Sequence, residues 1–201
     1  MIRLAQQHQD WVLGYLDEVW WSRFAQPKMH SWCFDQDGHP LRLLEKQPKA
    51  EDQEPKALAC YGVLLEACPV LHGQMLLRFV QGRPVSQVTC EFLDWVCQRL
   101  EQAGKRVWAL IWDNASWHKS QQVRSWIKKH NSTVKRCGGV RIVPCLLPTK
   151  SPWLNPIEPK WLHGRRAIVE PEAVLTVQVV MERVCAHFGC DLMGFLEQKV
   201  L

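Results

Sequence analysis

The spacing of apolar positions predicts strands in the first half of the chain. Runs rich in apolar, aromatic and β-branched side chains occur at 11–21, at 32–34 or 41–44, at 57–65 and at 73–80. Polar or glycine-containing segments such as 47–56 separate these runs, an arrangement typical of strands joined by loops. We therefore expect an antiparallel meander in this half.

Helices alternate with strands in the second half. Apolar residues recur at helical spacing after Ser86, a predicted N-cap, and Gly104 is placed to end that helix. The apolar run at 107–112 predicts a buried strand, followed by a helix at 118–130, a strand at 140–146, a helix from 155 and a helix at 171–188 that Gly189 ends. We expect one mixed α/β domain over 1–201, with a core at 11–170 and a C-terminal helix at 171–189.

Size and composition narrow the class of protein. With 201 residues, 47% of them hydrophobic, the chain can bury one core. No run approaches the roughly 18 apolar residues of a membrane span, and the first residues lack the apolar segment of a signal peptide. The nine cysteines are scattered without a Cys-x-x-Cys pair, which favours reduced thiols over disulfides or zinc. We expect a cytoplasmic protein with no membrane partner.

The net charge of +5 conceals a strongly basic segment. Residues 119–166 contain eleven Lys or Arg and a single acid, Glu158, for a local charge of +10. Such a one-sided block favours a polyanionic partner, and nucleic acid in particular, over an ordinary solvated surface. The cations nearest the acidic candidates, which we expect to contact DNA phosphates, are Lys119, Lys150, Lys160, Arg165 and Arg166.

Three acidic side chains are candidates for metal-dependent phosphate chemistry. Asp113 follows the strand at 107–112, Glu158 lies in the first turn of the helix that opens at Asn155, and Asp17 interrupts the first strand. Hard cations such as Mg²⁺ take oxygen ligands, and phosphodiester chemistry with two of them needs about three converging carboxylates. We therefore expect Asp17, Asp113 and Glu158 to share a catalytic metal site.

Each acid also has a structural interpretation that the pattern leaves open. Asp17, or its neighbour Glu18, is readable as an ordinary outward strand residue, and either of the two could be the first metal ligand. Asp113 suits a turn after a strand. Glu158 matches a capping box with Asn155, in which the Glu stabilises the start of a helix.

Several neutral or aromatic side chains near the acids are candidate accessories. His118 could order Asp113 or contact phosphate, although a His near a helix start is commonly exposed or capping. Asn114 and Asn155 are further polar candidates. Trp117, Trp153 and Trp161 could stack on bases, and for Trp161 we favour a core position.

Two motifs carry a resemblance to a known family. They are Asp113-Asn114-Ala115-Ser116-Trp117-His118 and Leu147-Pro148-x-x-Ser151-Pro152-x-Leu154-Asn155-Pro156-Ile157-Glu158-x-x-Trp161. Together they closely resemble the DDE endonuclease domain of bacterial insertion-sequence transposases in the mariner-like superfamily. Leu16-Asp17-Glu18 is similar to that family's first-strand Asp-Glu pair.

The resemblance implies a fold and a reaction. The fold is ribonuclease-H-like, with a mixed central sheet flanked by helices, and the triad is Asp17, Asp113 and Glu158. These acids would hold two Mg²⁺ ions, or Mn²⁺ as a substitute. A Mg²⁺-dependent DDE transposase hydrolyses DNA at transposon ends and joins the freed 3′ hydroxyl to target DNA, in cut-and-paste transposition.

Partners and alternatives follow from the same comparison. Double-stranded DNA of transposon ends and target is the expected partner, in the cytoplasm at the bacterial nucleoid, and a homodimer is a further candidate. Only sixteen residues precede Asp17, so the chain looks like the catalytic half alone, and a separate helix-turn-helix polypeptide could supply end recognition. The alternatives are a ribonuclease-H-type nuclease and an inactive, truncated transposase remnant that binds DNA non-specifically.

Overall fold

The computed structural model describes residues 2–24, 30–34, 36–38, 40–42, 51–149, 151–168 and 174–197. Its elements, in chain order, are α1 Ile2–Gln7, β1 Trp11–Ser22, β2 His30–Phe34, β3 Pro40–Arg42, β4 Ala57–Glu66, β5 Met75–Val80, α2 Ser86–Gln102, β6 Val107–Trp112, α3 Gln121–Cys137, β7 Arg141–Leu146, a 3₁₀ turn Pro152–Leu154, α4 Ile157–Ile168 and α5 Val177–Phe188.

A mixed five-stranded sheet with the order β5-β4-β1-β6-β7 forms the centre of the fold. Strand β4 pairs antiparallel with both β1 and β5, whereas β1, β6 and β7 run parallel to one another. The predicted mixed α/β class is therefore confirmed. Parallel pairs need crossover connections. Helix α3 connects β6 to β7, and the connection from β1 to β6 contains β4, β5 and α2.

Helices cover both faces of this sheet. Alternate residues of β1 enter different cores: Val12 and Leu16 pack with the apolar faces of α2 and α3, whereas Val19 and Trp21 pack with those of α4 and α5. A strand buried on both faces reads as a nearly continuous apolar run, which is why β1 and β6 were readable in the sequence. Consecutive residues of β1 consequently look into opposite layers.

Some predicted elements differ from the structure. The runs at 32–34 and 41–44 do not join the meander, because β2 and β3 pair only with each other in a separate two-stranded sheet; positions 43 and 44 lie outside the described residues. Ser86 does not cap α2, which has Val85 at its N-cap without a side-chain bond. Helix α3 runs to Cys137, beyond the predicted end, and Ser120 caps it through the backbone N–H of Val123.

The last helix shows how local signals set its ends. Thr176 caps α5 by accepting from the backbone N–H of Val179, and Gly189 ends it in the left-handed conformation at φ 64°. The end at Gly189 confirms the prediction, and residues 171–173 of the predicted helix lie outside the described residues. No helix in the described parts of the chain is both long and apolar enough to cross a membrane.

Candidate active site

An open pocket of about 300 Å³ lies where β6 ends beside the middle of β1. All three predicted acids line it. The complete lining is Asp17, Asp113, Asn114, Ala115, Leu147, Pro148, Thr149, Ser151, Asn155 and Glu158. Most of these residues belong to the two motifs recognised in the sequence, and Asp17 comes from a strand remote from both.

The two neighbouring acids of β1 look into opposite layers of the fold. Asp17 follows the odd-numbered residues that pack against α4 and α5, and it lines the pocket. Glu18 follows the even-numbered residues and bonds to His118 instead. Because side chains alternate along a strand, one of the two acids had to leave the pocket. The geometry therefore favours Asp17 over Glu18 as the first carboxylate of this site.

Strand register places Asp113 near Asp17. The parallel pairing of β1 with β6 ends at Tyr15 opposite Ile111. Two residues farther along, the chains carry Asp17 and Asp113, so continuing the same register sets the two acids abreast. This proximity depends on pairing between segments almost a hundred residues apart, and it could not be read from either motif alone.

Asp17 is largely removed from solvent. Its Oδ2 accepts a hydrogen bond of 2.9 Å from the indole Nε1 of Trp161. Burial, followed by the negative charges of Glu158 and Glu18, raises the pKa of Asp17 from 3.8 to about 7. A carboxylate in this state carries an unfavourable charge at neutral pH, and a nearby cation would relieve it.

Asp113 is in the opposite electrostatic situation. Its Oδ1 accepts from the backbone N–H of Ala115 at 2.9 Å and lies 2.8 Å from Nδ1 of His118. The hydrogen bond from His118 is the largest cause that holds the pKa of Asp113 below its ordinary value. The bond to Ala115 is the Asx turn expected from sequence. Asp113 therefore forms a turn and lines the pocket at the same time.

Glu158 lines the pocket because the buried face of α4 packs against the sheet and fixes the position of the helix. Ile157, Trp161, Gly164 and Ile168 form the buried face of α4, and Glu158 lies beside that face in the first turn, exposed to solvent. Trp161 is 3% exposed, which confirms the predicted core position. Its bond to Asp17, however, was missed in the sequence, although the spacing Glu158-x-x-Trp161 was part of the recognised motif.

A glycine allows Trp161 to lie this close to the sheet. Gly62 pairs directly with Asp17 across β4 and β1. A Cβ at Gly62 would lie 2.7 Å from Cζ2 of Trp161 and closer still to Cη2. The absence of a side chain at Gly62 is therefore what lets the indole lie close enough to donate to Asp17.

The predicted capping box of α4 does not form. Asn155 is 2% exposed, its Nδ2 is 3.5 Å from the carbonyl oxygen of Leu16, and its Oδ1 has no partner in the described structure. The Glu158 backbone N–H bonds to the carbonyl of Asn155 rather than to its side chain. An unpaired buried oxygen is costly unless a ligand or water meets it. Asn155 therefore presents a free acceptor at the pocket.

Asn114 and His118 connect the pocket to its surroundings. Asn114 lines the pocket and donates from Nδ2 to the carbonyl of Leu147, which links the ends of β6 and β7. His118 is buried between Asp113 and Glu18, with 2.8 Å to each carboxylate. Although burial opposes it, bonding to these two acids raises the pKa of His118 to about 9. His118 is thus neither exposed nor a helix cap.

The donor set suits a hard divalent cation in its chemistry. Asp17, Asp113 and Glu158 offer carboxylate oxygens to one pocket, and the orphaned Oδ1 of Asn155 adds a neutral one. Among the described residues, no three His, Cys, Asp or Glu side chains are close enough to form a finished metal site. The pocket therefore presents its acids without closing them around one point, as expected for mutually repelling carboxylates.

The described cations of the basic segment are all solvent-exposed. Lys119, Lys160, Arg165 and Arg166 are exposed, and none forms a salt bridge with a described carboxylate. Arg165 and Arg166 follow Glu158 by seven and eight positions, which places them on its side of α4, whereas Lys160 is turned roughly 200° away. Lys119 lies close enough to Asp113 to help lower its pKa. Lys150 lies outside the described residues.

The three tryptophans that are candidates for stacking on bases differ in their exposure to solvent. Trp161 is buried, and Trp117 is partly buried with its Nε1 donating to Glu18 at 3.1 Å. Trp153, in the 3₁₀ turn between Ser151 and Asn155, is 75% exposed. Only Trp153 of the three has a ring face available to a base.

Comparisons with known proteins agree with this architecture. The profile of the family described as DDE superfamily endonuclease matches residues 68–176, just over half of the chain. The matched segment includes Asp113 and Glu158 and begins after Asp17. No curated protein sequence matches the chain significantly.

Solved structures of Mos1 transposase share the fold. The paired-end complex with left transposon end has a TM-score of 0.59 at 13% identity, over 94% of this chain and 52% of that one. The mariner Mos1 paired-end complex with Mg has a TM-score of 0.57 at 15% identity, over 93% and 51%. The Mos1 strand transfer complex has a TM-score of 0.54 at 13% identity, over 94% of this chain and 51% of that one. The chain thus has the predicted ribonuclease-H-like fold and spans about half the length of these matched chains.

Proposed function

This chain belongs to the DDE superfamily of endonucleases, and from that premise we propose that it is the catalytic domain of a transposase. It would be a Mg²⁺-dependent DNA endonuclease and strand transferase, with Mn²⁺ as a substitute metal. One observation carries the proposal: Asp17, Asp113 and Glu158, from three separate elements, line one pocket. The predicted single catalytic domain over 1–201 is part of the same proposal.

The chain's own residues suggest how the pocket would work. Asp17, Asp113 and Glu158 would hold the metal ions, and the buried charge on Asp17 makes a cation favourable there. When bound, Mg²⁺ supplies a nucleophile of lowered pKa and neutralises charge that develops on the phosphate. The Oδ1 of Asn155 is buried and unpaired in the described structure, and it would accept a hydrogen bond from the attacking water or 3′ hydroxyl once the side chain turns towards the pocket.

The pocket shape supports a polymeric phosphodiester as substrate. The pocket is open rather than enclosed. Trp153, which is exposed, lies between the lining residues Ser151 and Asn155, and α4, which carries Glu158, also carries the exposed Arg165 and Arg166. Lys119, Arg165 and Arg166 would contact backbone phosphates and position the DNA without reading its sequence. Lys150 stays a sequence-based candidate for the same role, and Lys160 would contact phosphates farther from the cleavage point.

The partners in this proposal are double-stranded DNA of transposon ends and target. One Mos1 structure is a paired-end complex with left transposon end, and another is a strand transfer complex. By analogy, a second copy of this chain and a separate helix-turn-helix polypeptide would serve end pairing and end recognition, at the nucleoid of a bacterial cell. The exposed cations of the basic segment support binding to DNA phosphates, which does not depend on base sequence.

A cleavage assay tests the proposal. Purified chain is incubated with supercoiled plasmid and with end-containing duplex, in Mg²⁺ or Mn²⁺, beside Asp113→Asn and Glu158→Gln. We expect nicking by the wild type and a loss of at least about 100-fold in both variants, as for removal of groups that act directly on the reacting phosphate. Glu182→Gln is the matched control, since Glu182 is exposed on α5 away from the pocket.

Three results would contradict the proposal in different ways. Equal nicking by wild type and both variants would place the activity outside this pocket. Binding of DNA by every protein without nicking by any would favour an inactive remnant. Cleavage of RNA in an RNA–DNA hybrid, with duplex DNA left intact, would favour a ribonuclease-H-type nuclease.

A further inference from the structure

A buried chain of hydrogen bonds leads from Asp113 to the face of the sheet opposite Asp17. The His118 ring bridges two carboxylates, with Nδ1 2.8 Å from Asp113 Oδ1 and Nε2 2.8 Å from Glu18 Oε1. Its side chain is 0% exposed, and that of Glu18 is 8% exposed. Glu18 thus touches the pocket acid Asp113 only through His118.

Packing holds the bridging ring in a single orientation. The His118 ring stacks on Trp112, with centroids 4.6 Å apart and planes 16° apart. Trp117 meets the same ring edge-on, with centroids 5.8 Å apart at 74°. A ring clamped on its face and its edge can turn only if the core around it opens.

Glu18 is fixed as firmly at the far end of the chain. It belongs to β1, where it pairs with Tyr61 of β4. Its Oε1 also accepts from Trp117 Nε1 at 3.1 Å. The strand and this second hydrogen bond make Glu18 a rigid support for His118.

The bonds on Asp113 are unevenly distributed. Both hydrogen bonds that Asp113 receives from described residues, from His118 and from Ala115, end on Oδ1. Its side chain is 54% exposed, so without them it would sample several rotamers. The arrangement commits Oδ1 to the protein and leaves Oδ2 for the pocket.

A purely structural role does not account for a carboxylate at position 18. Burying an acid costs free energy, and apolar side chains of similar size commonly stabilise a core at least as well. Neighbouring positions of β1 on this face are apolar, as in Val12 and Leu16. Glu18 is the acidic exception, and it lies at the position of β1 from which His118 connects to Asp113.

We propose that Glu18 is a positioning residue for the reaction, acting through His118 to hold Asp113 with Oδ2 turned towards the metal site. This inference rests on the proposed function, because it needs Asp113 to be a metal ligand. Residues that orient the ligands of a metal typically change its affinity by about 10–100-fold when they are removed. Glu18 would therefore set how much metal the pocket needs, without touching metal or DNA.

Metal titrations of Glu18 variants test the inference. Mn²⁺ binding is measured calorimetrically without DNA, and cleavage is measured against Mn²⁺ concentration. For Glu18→Ala we expect the dissociation constant and the half-maximal concentration for cleavage to rise together by about 10–100-fold. Cleavage at saturating Mn²⁺ should stay within a few-fold of wild type. Glu18→Gln keeps an acceptor for His118 and Trp117, so it should recover most of the loss.

A matched control separates positioning from stability. Tyr61→Phe removes another buried hydrogen bond of the same layer, between Tyr61 and Thr89 at 2.7 Å. Tyr61 pairs with Glu18 across β4 and β1 but does not line the pocket, so this variant disturbs the same part of the core and leaves the Glu18 carboxylate in place. It should lower the free energy of unfolding without moving the Mn²⁺ midpoint. If Glu18→Ala fails to fold, Trp117→Phe replaces it, because that variant removes only one support of Glu18 and should raise the midpoint a few-fold.

The outcomes distinguish this inference from the function beneath it. A Mn²⁺ midpoint for Glu18→Ala equal to that of wild type, or moved no more than that of Tyr61→Phe, overturns the positioning role while cleavage by the wild type stands. Absence of both Mn²⁺ binding and cleavage in the wild type overturns the proposed function itself.

Discussion

Replacing Gly62 by Ala should displace Trp161, which donates to the pocket residue Asp17, without changing any of the three acids. The new Cβ would lie 2.7 Å from Cζ2 of Trp161 and 2.9 Å from Cδ2 of Leu77. Carbon atoms in proper contact are about 3.5–4.0 Å apart, so the indole must retreat by about 1 Å. Leu77 is flexible enough to adjust, whereas the rigid indole moves as one body.

The retreat has a consequence that can be estimated. Trp161 Nε1 is 2.9 Å from Asp17 Oδ2, and a ring that backs off by about 1 Å takes this bond beyond hydrogen-bonding range. Overpacking of a core typically costs about 1–3 kcal/mol, and losing a bond to a buried carboxylate adds about 1–2 kcal/mol. We expect Gly62→Ala to lower the free energy of unfolding by about 2–5 kcal/mol and to displace Glu158 with α4.

A double-mutant cycle with Trp161→Phe isolates the steric cause. Phenylalanine is shorter than tryptophan and has no atoms at the Cζ2 and Cη2 positions that meet the new Cβ. Urea unfolding of the four proteins should therefore show that Gly62→Ala costs at least about 1 kcal/mol less when Trp161→Phe is already present, within the range seen for contacting pairs. Gly194→Ala is the control, since a Cβ there meets nothing within 4 Å.

Equal costs of Gly62→Ala in both backgrounds would refute this reasoning, because the alanine would then destabilise the sheet by some route other than the indole. A Gly62→Ala protein with unchanged stability would refute the distance argument itself.

Three further predictions concern charge and stacking. In metal-free protein, the pKa of Asp17 is about 7 in the folded chain, against 3.8 for the free side chain. The unfolded chain therefore loses this proton at lower pH than the folded chain, and the free energy of unfolding falls as the pH rises from about 4 to 7. In urea unfolding with a chelator, Asp17→Asn should therefore raise the free energy of unfolding by up to about 4 kcal/mol at pH 8 and by little at pH 4. An equal increase at both pH values would mean that the buried charge of Asp17 is not the cause. Changing Lys119, Arg165 and Arg166 to Gln should reduce the slope of log Kd against log salt by up to about 3 in anisotropy titrations; an unchanged slope would mean that these cations do not meet phosphates. Trp153→Ala should weaken binding of single-stranded DNA by about 1–3 kcal/mol, and equal affinities of the two proteins would exclude stacking there.

Local pattern was sufficient for several parts of this fold. The strand at 107–112 has the bounds predicted for it, and α5 ends at Gly189 as expected. Both depend on interactions within a few residues, namely the apolar run of a strand buried on two faces and the left-handed conformation that glycine tolerates. The segment 147–158 was likewise recognisable, and most of its described residues line the pocket.

Two predictions of helix caps were wrong. Ser86 has the composition of a cap but lies inside α2. Asn155 has the spacing of a capping box, yet its side chain turns towards Leu16. The prediction for Ser86 misses the cap position by one residue, because Val85 occupies it. The contact of Asn155 with Leu16 joins α4 to β1, and a motif within 155–158 does not describe it.

The sequence alone determined the candidate acids, the basic segment and the order of strands and helices from β1 onwards, since all three follow from residue type and short-range spacing; helix α1 was not predicted. The tertiary structure decided which acid of the Asp17-Glu18 pair enters the pocket, because side chains alternate across a strand whose two faces are covered by different helices. It also placed Trp161 on Gly62 and joined Glu18 to Asp113 through His118. Those contacts arise from strand register and helix packing, which bring together residues that are far apart along the chain.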